Sequence, residues 1–280
     1  MNLKNLLTDT MNNASEYNKA EKGDYSGENG LLICGKCHTP KQCRIQTPYG
    51  EFTVMCICKC KEEAIAAEEA EYKKRRQQAA LDRLRRACFA GTDGINCTFE
   101  NDDMSNKRLT KICKRYVDNF SIFCRQGKGI IFYGNIGTGK TYAAYEIANA
   151  LMEKGYPVLA SSVSKLSKAL FSANDKQKYL DGLNSTYKLL ILDDLGTERK
   201  SEYMKEQLFD IINSRYEAKL PMIVTTNLTT EQLINPPDAD TGRIYDRITE
   251  RCFPVEVAGN SRRRKNIAKE YSEMKSILLG

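Results

Sequence analysis

"GIIFYGNIGTGKTYAAYEIANALMEKG", from Gly129 to Gly155, changes character twice. Its first residues are a short apolar and aromatic run, read as a buried strand. Its last, from Thr141, contain neither Gly nor Pro until Gly155 and read as a helix. Between them, Gly134 to Thr141 fits G-x-x-x-x-G-K-[ST]. Glycines there let backbone N–H groups turn inward onto a phosphate. Lys140 reaches the outer phosphates, and Thr141 offers its hydroxyl to Mg²⁺. Gly134, Asn135, Ile136, Gly137, Thr138, Gly139, Lys140 and Thr141 are therefore the candidate nucleotide-binding residues, with ATP and Mg²⁺ as the implied cofactors.

The same alternation continues outward. "PVLASS", "KLLILDD" and "PMIVTTN" read as further buried strands, "EYMKEQLFDIINSRYEAKL" as a helix between the last two, and "FPVEV" near Phe253 as a final strand. Continuous apolar strands joined by helices imply an α/β fold, a parallel sheet covered by helices on both faces. This part spans residues 95–280.

Two further strand ends carry chemistry. "LLILDDLG" ends in paired carboxylates, which are costly to bury without a cation or hydrogen bonds. Asp193 is the candidate metal-side ligand and Asp194 the group that polarises an attacking water, with Glu198 near enough to share that role. "VTTNL" places the Asn227 amide at a neighbouring strand end. Arg243 and Arg247, four apart, share a helix face. With Arg263 beyond the last strand, they are candidates to meet charge developing on a γ-phosphate, and such an arginine can be supplied by a neighbouring subunit.

The N-terminal part differs. Residues 1–30 are polar and read as loosely ordered, apart from a possible apolar stripe of Leu3, Leu6, Leu7 and Met11. Residues 31–60 hold six of the chain's 11 cysteines. With no secretory start, closely spaced cysteines point to metal ligation rather than disulfides. "CGKC" and "CICKC" supply more than four thiols. Cys34, Cys37, Cys58 and Cys60 are the favoured Zn²⁺ set, Cys56 a substitute, and His38 and Cys43 weaker donors. So few residues build no stable core unaided, so the metal's role is structural. Residues 61–94 read as a helical linker, acidic at its start and basic at its end.

Charge and hydropathy bound the partners. The formal net charge is +7, concentrated in "YKKRRQQAALDRLRR" and "SRRRK", which suits a polyanion as well as a solvated face. No run long enough to span a membrane is present, and a cytoplasmic protein is expected.

The order "GNIGTGKT", "LLILDDLG", "VTTNL", "GRIYDRITE" and "GNSRR" resembles the AAA+ ATPases of the DnaC/DnaI type, the replicative helicase loaders of bacteria and phages. Transposase-helper ATPases share the core but usually lack a cysteine module. The resemblance implies a P-loop AAA+ ATPase that hydrolyses ATP during DNA replication initiation. It also implies an N-terminal module docking a hexameric DnaB-type helicase, single-stranded DNA binding and self-association through the ATPase domain. By position it makes Asn227 the polar sensor, Arg247 the arginine finger with Arg243 on the same face, and Arg263 the second sensor. Asp194 departs from the glutamate common in AAA+ proteins.

Overall fold

The computed structural model describes residues 20–48, 50–89, 92–196 and 202–279, with the backbone alone at residues 93, 263–266, 268–270 and 272–273. The stripe around Leu3 and the carboxylate of Glu198 lie outside the described residues. The chain divides into two units, one up to Ala79 and one from Ala80 onward.

In the first unit, β1 (Tyr25–Ser26) pairs antiparallel with β2 (Leu32–Ile33), and β3 (Gln42–Thr47) with β4 (Gly50–Met55). These strands bury little apolar surface, and polar bonds hold the segments between them. Buried Lys41 donates to Asp24 at 2.7 Å and to Glu21 at 3.4 Å. Asp24 also accepts the N–H of Gly35 at 3.0 Å. The Lys41 ammonium, with the N–H groups of Glu21 and Gly35, holds the Asp24 carboxyl down at about 2. The long helix, α1 (Lys59–Cys88), begins with Glu62 in its first turn and ends with Arg85 and Arg86, complementing its dipole as its composition requires.

The second unit is a parallel sheet of β5 (Gly129–Tyr133), β6 (Val158–Ser162), β7 (Leu189–Leu195), β8 (Met222–Thr226) and β9 (Cys252–Glu256), in the order β6-β7-β8-β5-β9. This is the α/β architecture the apolar runs imply. Period-two alternation splits each strand between two cores. Ile130, Phe132, Leu189, Ile191, Ile223 and Val255 pack on one face, against α2 (Lys107–Asp118), α3 (Phe120–Gln126) and α4 (Lys140–Glu153). Ile131, Leu190, Leu192, Met222 and Val224 pack on the other. There they meet α5 (Val163–Phe171), α6 (Lys176–Thr186), α7 (Glu202–Glu217), α8 (Thr230–Ile234) and α9 (Ala239–Arg251). The last helix is α10 (Arg262–Leu279).

Short polar side chains start these helices. Asn106, Asp175 and Asp238 accept backbone N–H groups at the starts of α2, α6 and α9, and Thr229 with Gln232 forms a capping box on α8. Arg215 of α7 is fully buried and forms no ion pair with a carboxylate among the described residues. It donates to the carbonyls of Tyr187 and Pro221, each at 2.9 Å, joining the segments that enter β7 and β8. Because the sheet is parallel, the C-terminal ends of β5, β7 and β8 meet on one edge, where ligands of open α/β sheets bind.

Candidate nucleotide site and thiol cluster

β5 delivers the chain into a loop whose glycines take positive φ, among them Gly137 (φ 81°) and Gly139 (φ 104°). A side chain at either would also crowd its neighbours, more severely at Gly137. A Cβ at Gly137 would lie 2.3 Å from the Ser261 hydroxyl, and one at Gly139 would lie 3.3 Å from the Arg262 guanidinium. The loop ends at the N-terminus of α4, whose first-turn N–H groups and dipole favour an anion. Lys140 folds back over the loop and donates to the carbonyls of Gly134 at 2.8 Å and Asn135 at 2.7 Å. A phosphate oxygen, being charged, is a stronger acceptor than either carbonyl. Thr138 closes the turn on Asn135 O at 2.9 Å, while Ile136 is exposed at the loop tip.

Beneath the loop, one carboxylate gathers three hydroxyls. Asp193 Oδ1 accepts Thr141 Oγ1 at 2.8 Å and Thr225 Oγ1 at 2.6 Å, and Oδ2 accepts the Tyr145 hydroxyl at 3.4 Å. The Thr141 hydroxyl and the Asp193 carboxylate are thus a pair of adjacent hard oxygen donors at the N-terminus of α4, a donor set that fits Mg²⁺. Burial and the nearby Asp193 charge push the Tyr145 hydroxyl well above its ordinary range, so it stays a donor.

Asp194 departs from simple strand alternation. The pairing of β7 with β8 slips between Leu192 and Leu195, and Asp194 has φ 60°. This bulge re-aims a side chain that regular pleating would turn to the opposite face. Asp194 is exposed, and its N–H donates to Thr225 Oγ1 at 3.0 Å, so one threonine ties both carboxylate residues to β8. Asn227 follows directly after β8 and is half-buried.

The arginines lie apart from this crevice in character. Arg247 is half-buried against α7, donating Nε to Asn213 at 2.7 Å with its guanidinium 4.6 Å from the Phe209 ring centre. Arg243 is exposed, 3.7 Å from Asp240. The Arg263 side chain lies outside the described part. Its neighbour Arg262, legible in the sequence only as part of the basic "SRRRK" stretch, reaches the loop: its N–H donates to Gly137 O at 2.8 Å. Three successive arginines in "SRRRK" offer no reason to choose among them until the register of α10 is known.

In the first unit, Cys34, Cys37, Cys58 and Cys60 converge, with their sulfurs within 4.8 Å of one another. Cys34 to Cys60 is 3.6 Å and Cys58 to Cys60 is 3.5 Å. Four thiolates around a tetrahedral Zn²⁺ at ~2.3 Å require sulfurs ~3.8 Å apart, so the set fits that ion. The Thr39 hydroxyl and the Cys60 N–H pull the Cys37 thiol down to about 5. The Cys37 and Lys36 N–H groups lower Cys34. Cys60 is pushed up to about 12 by the neighbouring thiols of Cys58, Cys37 and Cys34. Four such groups do not all ionise together without a cation between them. Cys56 stands outside the set, its thiol against Pro40 O at 3.4 Å, and burial and Cys43 raise it. His38 contacts the Tyr25 hydroxyl at 3.2 Å instead.

The chain is similar to known replicative helicase loaders. The replicative helicase loader DnaI of Bacillus subtilis (strain 168) is 24% identical over 201 residues, 67% of this chain and 65% of that protein. The replicative helicase loader DnaC of Escherichia coli (strain K12) is 29% identical over 146 residues, 49% of this chain and 58% of that protein. This chain therefore spans less than two thirds of the length of either loader. A crystal structure of DnaI superposes with a TM-score of 0.51 at 26% identity, covering 61% of this chain and 92% of that one. The model of the IstB-like ATP binding proteins matches residues 50–270, which take in the glycine loop, Asp193, the β8 end and the start of α10. On that match the chain belongs to the IstB-like ATP-binding protein family.

Proposed function

We propose that this chain is a helicase-loading ATPase of the DnaC/DnaI type, acting at the initiation of DNA replication. The observation that carries this reading is the joining of two devices in one chain. The glycine loop lies above the Thr141–Asp193–Thr225 cluster, and a four-thiol cluster precedes it. The likeness to DnaI and DnaC supports it, while the family's ATP-binding core is common to other assemblies.

In this reading Lys140 and the loop N–H groups bind and orient the phosphates of ATP, and Thr141 with Asp193 holds Mg²⁺. When bound, that ion neutralises charge on the phosphate oxygens. Asp194, exposed at the bulge, takes a proton from the attacking water, and Asn227 orients that water from the neighbouring strand end. Products are ADP and phosphate. Cys34, Cys37, Cys58 and Cys60 hold Zn²⁺ as a structural staple, and the module they close docks a DnaB-type helicase. The ATPase unit binds single-stranded DNA through its basic surface and self-associates.

Steady-state hydrolysis of Mg-ATP, with and without single-stranded DNA, is the first test, joined to co-purification with the replicative helicase of its own cell. Lys140→Ala should abolish turnover in a folded protein. Helicase capture without any turnover would instead favour a zinc-dependent binding module that uses ATP as a switch. Turnover with capture of a transposase would favour the transposase-helper role.

A further inference from the structure

The first turn of α10 does more than pack on the glycine loop. Arg262 donates its N–H to Gly137 O at 2.8 Å, and its guanidinium stands 3.3 Å from the position a Cβ would take at Gly139. On its other side the guanidinium meets two carboxylates from the segment before α2, Asp102 at 3.5 Å and Asp103 at 3.3 Å. Asp102 is fixed: its side chain is 3% exposed, Oδ2 accepts the Thr110 hydroxyl, and Oδ1 accepts the Met104 N–H at 3.3 Å. Asp103 is 58% exposed, and its Oδ1 accepts the Ser105 N–H at 2.9 Å. One arginine therefore stands between the loop that would hold phosphates and a pair of acids.

Phosphate and carboxylate compete for the same guanidinium fork. Both ion pairs here are long, and Arg262 and Asp103 are partly exposed, so Asp103 holds the cation weakly enough to release it, while buried Asp102 keeps the bonds from Thr110 and Met104 when the guanidinium moves. We propose that Asp102 and Asp103 form a latch on Arg262 that opposes nucleotide binding, and that phosphate draws the guanidinium off the two carboxylates. This rests on the nucleotide-site reading. Asp103 weakens nucleotide binding in two ways: it occupies the arginine, and it places a negative charge beside the incoming anion. Since α10 begins at Arg262, the latch also links the start of that helix to nucleotide state.

The experiment is a double-mutant cycle on Mg-ATP affinity, measured by calorimetry on the full chain. Asp103→Asn keeps the acceptor for Ser105 and removes the charge. It should tighten ATP binding about two- to fivefold, the worth of a partly exposed ion pair. Asp102→Asn should act in the same direction. Arg262→Gln should weaken binding, and in that background Asp103→Asn should change affinity by less than about twofold. Unchanged or weaker binding in Asp103→Asn overturns the latch. A gain of equal size without Arg262 also overturns it, since charge repulsion then acts alone. The control is Lys140→Ala. If the wild-type chain shows no saturable ATP binding, the nucleotide reading fails and the latch with it. If wild-type binding is lost in Lys140→Ala while Asp103→Asn changes nothing, the latch alone fails.

Discussion

Glu146 lies on α4, in the second turn after Lys140, and is 2% exposed with one carboxylate oxygen lacking a hydrogen-bond partner among the described residues. Burial raises its carboxyl from 4.5 to about 7, against the bond from the Cys113 thiol and the charges of Arg262 and Lys114, with Asp102 adding to the rise. Between those two values the unfolded chain has released a proton that the folded chain keeps. The folded state then binds more protons, so stability falls as pH rises through the window and the loss is complete above it. The second unit's thermal midpoint should fall between ~pH 5 and ~pH 8, and Glu146→Gln should flatten that slope. Equal slopes in variant and wild type would mean that Glu146 is not the group responsible. Asp24, depressed to about 2, acts in the opposite sense at lower pH: its contribution is present above the ordinary 3.8 and is lost as pH falls toward 2.

At the scale of elements, the two units are stabilised by different means. The parallel sheet of the second unit buries both faces of every inner strand, so its stability comes from apolar packing. The strands before α1 bury little, leaving the Lys41–Asp24 pair and the thiol cluster to order them. One Zn²⁺ per chain should be found by elemental analysis. Cys34→Ser with Cys37→Ser should release it and unfold the module, while the second unit keeps its own unfolding transition and its ATP affinity. Cys56→Ser, outside the cluster, should retain the metal. Loss of zinc from Cys56→Ser to the same degree would reassign the ligand set. The α1 charge gradient was legible in the sequence because it is written along one contiguous helix.

In the proposed self-association, the arginines of α9 are what one copy offers the next. Arg243 points into solvent, whereas Arg247 is held in its own chain by Asn213 and the rings of Phe209 and Tyr216. A residue that acts on a neighbour's γ-phosphate must be free to leave such contacts. Arg247→Ala should therefore lower thermal stability as well as turnover, and Arg243→Ala should leave stability unchanged. Each variant is then mixed with Lys140→Ala, which has an arginine to offer but no working phosphate loop. The true finger, once removed, costs roughly a thousandfold or more in turnover, and mixing restores part of it. No recovery with either variant, in chains that demonstrably co-assemble, would end the between-subunit assignment for both.

The strand–loop–helix at Gly129 to Gly155, the parallel sheet and the family were legible in the sequence, because phosphate loops and buried strands are written in contiguous residues whose pattern repeats within a few positions. The residues of the candidate sites were legible as types, but not in their arrangement. Which of Cys56, Cys58 and Cys60 join "CGKC" depends on how the β3–β4 hairpin meets the start of α1, and the fold brings in Cys58 and Cys60. That Asp194 is turned outward follows from a bulge against β8, a strand about thirty residues further on. Likewise Arg262 meets the glycine loop only because β9 places the start of α10 beside it. Each of these outcomes is set by register and burial between distant segments, and a linear pattern carries no register between segments that do not yet touch.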